Sequence, residues 1–414
     1  MNRSGVETAD RIDVHSGRVL LPDGVRRADL SIVDGRIAAI GDDAGEERAP
    51  DASHIDESGG GRAELGTQVI DASGMIVTAG LIDLQCNGAG GVDFTGEPTA
   101  MAAAAEVLPA FGVTSFLPTV VTAPTGARRA AIEAMGAYEH SVGARPLGLH
   151  FEGPALSAEC LGAHDARYRR DPGELRSEMA EWITGHVALV TMAPELDDAG
   201  RMIAELTAGG VAVSAGHTAM SFDDLATAKR NGLRSVTHLF NAMTPFAHRA
   251  PGAVGAVLAD ADVVAGLICD GIHVDPVAVR AAWRALGPGR VVLVSDASAP
   301  LGRPYGRFQL GRRELIHDDT GVRTADGTLA GSALPLDRAV RNLRDFTGCD
   351  WTDAVRAATA TPADLLGRRD IGRIATGARG DLVIFDDALH PRLVVVDGRI
   401  VFRDDRWTEA RWRS

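Results

Sequence analysis

One lysine, Lys229, serves the whole 414-residue chain, and that scarcity removes several chemistries at once. A mechanism built on a P-loop lysine, a Schiff base or a carbamylated lysine must use Lys229 or be dropped. Lys229 falls late in "SFDDLATAKRNG", a helix-like segment with a capping-box start at Ser221 and Asp224, and its neighbour Arg230 suggests a solvated face. Cysteine is also scarce. Cys86, Cys160, Cys269 and Cys349 stand far apart without a CxxC spacing, which argues for a reducing compartment and against a thiolate zinc site. No run approaches the ~20 apolar residues of a membrane span, and "MNRSGVETADRIDV" lacks the apolar stretch of a secretory signal. A cytoplasmic location is the expectation. Positive charge is in deficit, with 42 Lys and Arg against 56 Asp and Glu. The net charge of −14 disfavours nucleic acid or an anionic membrane as partner. A small anionic substrate needs only local positive charge and stays open. No G-x-S-x-G nucleophile elbow occurs, which disfavours a serine hydrolase.

What is present divides the chain into a middle and two ends. Residues 12–40 read as short strands with hairpin turns at Pro22-Asp23-Gly24 and Asp34-Gly35. Residues 380–402 repeat that style, with Asp397-Gly398 as the turn. Neither end can bury both faces of its strands alone, so residues 1–76 and 369–414 are expected to form one small β-sandwich. Residues 41–66 are polar and glycine-rich and read as a mobile insertion.

Residues 77–368 alternate apolar runs with helix-length amphipathic stretches. Eight runs could be parallel strands: 80–87, 113–119, 147–152, 187–192, 211–217, 234–238, 264–270 and 290–296. Eight such units in this length predict a (β/α)8 TIM barrel. A doubly wound sheet is the alternative, but "NGAGG" after the first strand is not its G-x-G-x-x-G fingerprint.

The polar residues of these runs fall at their ends. The first ends in Gln85 and Asn87, the third in Glu152, the fifth in His217, the sixth in His238 and the eighth in Asp296. In a barrel the C-terminal strand ends share the catalytic face. Each residue has a plainer reading: a hydrogen-bonded core histidine, one half of a buried ion pair, a helix cap. Their joint placement favours convergence instead. Glu152, His217 and His238 are proper ligands for a zinc-type ion and leave a coordination position open. Asp296 could then act as general base and pass its proton to a leaving amine. The reaction class implied is metal-assisted hydrolysis, with amide cleavage or deamination foremost. Around this set, "HLFNAMTPFAHRAPG" carries Asn241, His248 and Arg249, "CDGIHVDP" carries His273, and "TLAGSALPLDRAV" offers a turn whose N–H groups could cradle an anion.

At these motifs the chain resembles a known family. "GLIDLQCNGAGGVDF", "GLHFEGP", "TMAPE", "SAGHT", "VTHLFNAM", "DGIHVDP", "LVSDA" and "TLAGS" are similar, in order and spacing, to the N-acetylglucosamine-6-phosphate deacetylases of the amidohydrolase superfamily. The resemblance covers nearly the whole chain. It implies hydrolysis of the acetamide of N-acetylglucosamine 6-phosphate to glucosamine 6-phosphate and acetate. It also implies one divalent metal per subunit on Glu152, His217 and His238, with Asp296 as catalytic acid and base. Glu and two His suit zinc first, and iron or cobalt as well. Substrate contacts are implied at Ala163, Asn241, Ala242, Arg249, His273, Leu329, Ala330 and Gly331. A homodimer is implied, with Arg249 directed at the phosphate of the neighbouring subunit's substrate. Many relatives in the wider superfamily carry His-x-His on the first strand for a second metal; here Gln85 and Asn87 stand at that place, which points to a single ion. The chain departs from the family at Ala250, where glutamate is common, and in "GPALSAECLG", which lacks a frequent lysine. His150 shares a strand face with Glu152 and could support it or simply pack. Two alternatives differ from this reading: a deacetylase of a related sugar phosphate such as N-acetylgalactosamine 6-phosphate, and an inactive barrel used as a scaffold.

Overall fold

The computed structural model describes residues 7–8, 11–42, 66–139, 142–405, 407 and 412–413. The chain divides into two compact units, Met1–Gly80 with Arg369–Ser414, and Leu81–Arg368. Most of the segment read as an insertion, residues 43–65, lies outside the described residues.

Eight strands of the larger unit pair in parallel in chain order: β1 Leu81–Cys86, β2 Val113–Val121, β3 Leu149–Glu152, β4 Val187–Met192, β5 Ala212–Ala215, β6 Ser235–Val236, β7 Val264–Leu267 and β8 Val291–Leu293. They are almost wholly buried, as parallel strands covered by helices must be. The circle closes just past the ladder. Asp296 N donates to Gln85 O at 2.9 Å and Asn87 N to Ala297 O at 2.6 Å. The expected barrel is therefore present.

The helices between strands follow from local chemistry. Pro276–Leu286 starts at Asp275, whose carboxylate accepts the Val277 N–H at 2.7 Å, and proline occupies a first-turn position where no N–H is needed. Its buried residues Val279, Ala282 and Leu286 recur at helical spacing, so one stripe faces the core. The stretch between β1 and β2 is broken into 3-10 turns and the five-residue helix Met101–Ala105. Pro98 and Pro109 punctuate it. Lys229 lies in the last turn of the helix Phe222–Arg230, which starts at the expected Ser221/Asp224 capping box. Rather than lying free on a solvated face, it is partly buried and pairs with Asp260 at 2.6 Å and Asp262 at 2.9 Å. A three-stranded antiparallel sheet follows the barrel: β9 Gly306–Leu310, β10 Arg313–Asp318 and β11 Gly321–Thr324.

In the smaller unit, strands from both ends of the chain join one continuous ladder of ten. Ile76–Ala79, from the N-terminal part, lies between Arg11–Leu21 and Leu382–Phe385. Ile12, Val14, Ile32 and Val77 share an apolar core with Leu382, Ile384 and Val395, so each end completes the burial of the other. The turns at Asp34-Gly35 and Asp397-Gly398 hold both central residues at positive φ, between 49° and 70°, the twist that antiparallel hairpins favour.

Candidate active site

Asn87, Glu152, His217, His238 and Asp296 line a cavity of about 560 Å³ at the C-terminal ends of the barrel strands, and Gln85 does not line it. Glu152 is the last residue of β3, while His217 and His238 lie two residues past β5 and β6, and Asp296 three past β8. The sequence reading ran those three inside their strands. The ladder stops short because the backbone turns left-handed at each of them, with φ of 49°, 30° and 47°. An L side chain at such a φ costs roughly 1–2 kcal/mol, so surrounding contacts must hold it. At His217 the next residues supply them: Thr218 Oγ1 and Ala219 N donate to Glu195 at 2.5 and 2.6 Å.

Glu152 Oε1 lies 2.9 Å from His238 Nε2 and 3.2 Å from His217 Nε2, and the two ring nitrogens are 3.1 Å apart. His164, which the sequence reading passed over one residue beyond Ala163, approaches the other carboxylate oxygen, Nε2 to Oε2 at 3.6 Å. Glu152, His164 and His217 also fall within the reach of a single ion. Hydrogen-bond partners decide between the two sets. His217 Nδ1 faces the Cys160 carbonyl at 2.9 Å, an acceptor, so that nitrogen carries the proton and Nε2 offers its lone pair. His164 Nδ1 instead accepts the Thr122 N–H at 3.2 Å, so its proton sits on Nε2 and points towards Glu152. His164 is thus a donor. His238 Nδ1 has no hydrogen-bond partner among the described residues, so no contact there fixes the tautomer.

Two imidazole nitrogens and a carboxylate oxygen face one another at about 3 Å, all buried, a cluster of three groups that can each serve as a metal ligand. A divalent cation would satisfy all three donors, and this donor set fits one. The charges lean on one another: burial lowers His238, but its bond to Glu152 outweighs that and raises it. Burial alone would raise the Glu152 pKa, but bonds from His164, His217 and His238 outweigh it and hold the carboxyl well below its usual range. Burial, aided by the His164 charge, drops His217 to about 4, which keeps its lone pair free.

The first-strand amides have definite partners. Gln85 Nε2 donates to Glu152 Oε1 at 2.8 Å, and Asn87 Nδ2 donates to Asp296 Oδ1 at 2.7 Å. One amide orients the carboxylate of the metal-type cluster and the other orients the candidate base. Asp83, two residues before Gln85, accepts instead from Ser295 Oγ at 2.5 Å and does not line the cavity. Burial, reinforced by the Glu152 charge, raises Asp296 to about 6, with His238, His273 and the Asn87 bond pulling the other way. His150 bonds Leu84 O at 3.0 Å and Thr191 Oγ1 at 2.8 Å, and burial lowers it to about 4; it is a neutral core histidine.

Ala163, Asn241, Ala242, His273, Leu329, Ala330 and Gly331 all line the cavity, and His273 is oriented by Asp270 at 2.7 Å. Arg249 does not line it; the residue is exposed in the loop before Gly252–Ala259. Besides His164, the sequence reading missed Tyr168, Arg312 and Arg313 as lining residues. These sit in turns and a hairpin, where no periodic pattern marks a direction. The one available signal was "GAHD", read only as far as its alanine.

Residues 76–401 match the amidohydrolase family. An N-acetylglucosamine-6-phosphate deacetylase of Bos taurus is 38% identical over 348 residues, 80% of this chain and 85% of that protein. An N-acetylgalactosamine-6-phosphate deacetylase of Shewanella sp. (strain ANA-3) is 34% identical over 342 residues, 81% of this chain and 85% of its own length. Among solved structures, a mutant N-acetyl-D-glucosamine-6-phosphate deacetylase of Mycobacterium smegmatis, in complex with N-acetyl-D-glucosamine-6-phosphate, superposes with a TM-score of 0.81 at 30% identity, covering 95% of this chain and 99% of that one.

Proposed function

The chain belongs to the amidohydrolase family, and from that membership we propose that it hydrolyses the acetamide of N-acetyl-D-glucosamine 6-phosphate, releasing D-glucosamine 6-phosphate and acetate. The observation that carries this reading is the single cavity in which Asp296 opens beside Glu152, His217 and His238. One divalent ion per subunit, zinc before iron or cobalt, would be held by those three residues. When bound, such an ion lowers the pKa of water and polarises a carbonyl. The chain's own residues do the rest.

Asp296, ionised, takes a proton from the attacking water as the water oxygen bonds to the acetamide carbon. It then delivers that proton to the sugar nitrogen as the C–N bond breaks, so acetate and a free amine leave. Asn87 fixes one Asp296 oxygen by its N–H, which leaves the other to face the reaction. Gln85 holds Glu152 in the orientation that turns its Oε1 towards both histidines. His273, steadied by Asp270, and the backbone of Leu329–Gly331 line the space left for the sugar. A homodimer, and a cytoplasmic site of action, complete the reading. Among the described residues no helix is long and apolar enough to cross a membrane.

The test is acetate release from N-acetylglucosamine 6-phosphate, from its galacto epimer and from the unphosphorylated sugar. Each is assayed with the protein as isolated, after chelation, and after return of zinc, iron or cobalt. The expected result is turnover of the gluco phosphate, abolished by chelation and restored by one equivalent of metal. The Shewanella relative makes the galacto phosphate the second reading. No release from any of the three by metal-loaded protein would reject both.

A further inference from the structure

Asp83 is a buried carboxylate to which the proposed catalysis gives no step. It is 1% exposed and does not line the cavity, and burial raises its carboxyl to about 7 against the bonds that lower it. A charge so far from water is costly unless donors surround it. Three do. Ser295 Oγ donates to one oxygen at 2.5 Å, and the Ser295 and Gln85 N–H groups donate to the other, each at 3.2 Å.

Ser295, itself fully buried, carries that contact to the candidate base. Its Oγ accepts the Ala297 N–H at 2.9 Å while giving its hydrogen to Asp83. The hydroxyl therefore bridges the backbone across Asp296, as serine does in a turn closed by its own side chain. Asp296 sits inside this turn at φ 47°. The other acceptor within reach of the hydroxyl is Gln85 O at 3.2 Å, which already takes the Asp296 N–H at 2.9 Å. Asp83 keeps the two apart by drawing the hydroxyl to itself. Across the turn, Ser332 Oγ donates to Ser295 O at 2.6 Å and Ser332 N to Asp296 O at 2.7 Å. Gly331, in the cavity wall, packs so closely that a Cβ there would stand 2.9 Å from Asp296 O. The backbone of Asp296 is thus gripped on both sides, and the grip from strand β1 includes a buried carboxylate.

We propose that Asp83 is a positioning residue: through Ser295 it holds the left-handed turn at Asp296, and so fixes where that carboxylate meets the acetamide and its attacking water. The proposal rests on the reading of Asp296 as the general base of an amide hydrolysis.

The experiment compares the wild-type enzyme with Asp83→Asn, Ser295→Ala, Ser295→Thr, Asp296→Asn and the double variant Asp83→Asn/Asp296→Asn, each loaded with zinc. Values of kcat and KM for N-acetylglucosamine 6-phosphate are measured beside metal content, and Asp83→Asn, which keeps the buried volume, is crystallised alongside the wild type. Asp83→Asn and Ser295→Ala should hold one equivalent of zinc and a KM within a few-fold of wild type. Their kcat should fall roughly 10- to 100-fold, as a displacement of about 1 Å at a reacting group can cause. Ser295→Thr, which keeps the hydroxyl, should recover most of what alanine loses. In the Asp296→Asn background, Asp83→Asn should cost almost nothing further, because the group it positions is gone. The crystal structures should show the Asp296 carboxylate displaced and its 2.7 Å bond from Asn87 lengthened or lost. Equal losses in the two backgrounds would assign Asp83 to general support of the fold and overturn the proposal, as would a wild-type kcat or an unmoved Asp296 carboxylate. Wild-type protein inactive on every sugar would reject the deacetylase reading, and the crystal structures would still judge the positioning.

Discussion

Replacing Gln85 with leucine tests what the first strand contributes to the metal-type cluster. The side chain is buried and donates one hydrogen bond, 2.8 Å from Nε2 to Glu152 Oε1, the same oxygen that faces both His217 and His238. Leucine keeps the approximate volume and removes the donor. A hydrogen bond to a charged group contributes about 1.5–3 kcal/mol, and neither residue here is open enough for water to replace it. At 1.36 kcal/mol per decade this converts to roughly 13- to 160-fold. It overlaps the roughly 10- to 100-fold expected for losing a group that orients a metal ligand. The assay is competition for zinc between the apo-protein and a chelator of known affinity, with kcat measured at saturating metal. Gln85→Leu should bind zinc one to two orders of magnitude more weakly and turn over within a few-fold of wild type once loaded. An unchanged zinc affinity would refute the argument, since Glu152 would then need no help from strand β1.

Asp296→Asn should retain one equivalent of metal and lose about 10²- to 10⁴-fold in kcat, as expected for removal of a general base; metal analysis beside the acetate assay checks both halves. The proton placement argued for the histidines predicts that His217→Ala and His238→Ala lose the metal whereas His164→Ala keeps it, read by metal content after dialysis. A metal-free His164→Ala protein would reverse that assignment. For Asp83, burial raises the carboxyl to about 7 against bonds from Ser295 and Gln85 that lower it. The folded value lies above the unfolded one, so its contribution is full below about pH 4 and fades as pH climbs through about 7, on the order of 4 kcal/mol across that window. Asp83→Asn, which keeps the shape, should flatten the fall of Tm between pH 5 and 8; identical slopes would show that Asp83 is not the group responsible.

Much of this architecture could be read from the residues, and the parts that could not share a physical cause. Eight apolar runs mark eight strands because a parallel strand buried on both faces must be apolar along its length. The period of two also places Gln85 and Asn87 together, since alternate side chains share a face. Their partners are another matter. Glu152 lies 67 residues from Gln85 and Asp296 lies 209 from Asn87, and neither distance has a local signature. Closure supplies it: when Asp296 N meets Gln85 O and Asn87 N meets Ala297 O, the first strand end is brought against the segment after the last. The same closure explains why the strand ends were overrun in the sequence. Apolar alternation continues to His217, His238 and Asp296, yet the backbone has already turned left-handed there. Contacts from distant loops, such as Glu195 on the turn after His217, impose that conformation against local preference. His164 and Arg312 lie still further from periodic structure, on segments tied down by Thr122 and Asp93. Periodicity therefore makes the cavity legible where it is built of barrel strands, whereas its loop residues Ala163, Asn241, His273 and Leu329–Gly331 came only through the family resemblance. The metal-type ligands belong to the first kind of residue, since Glu152, His217 and His238 all stand at or just past barrel strand ends.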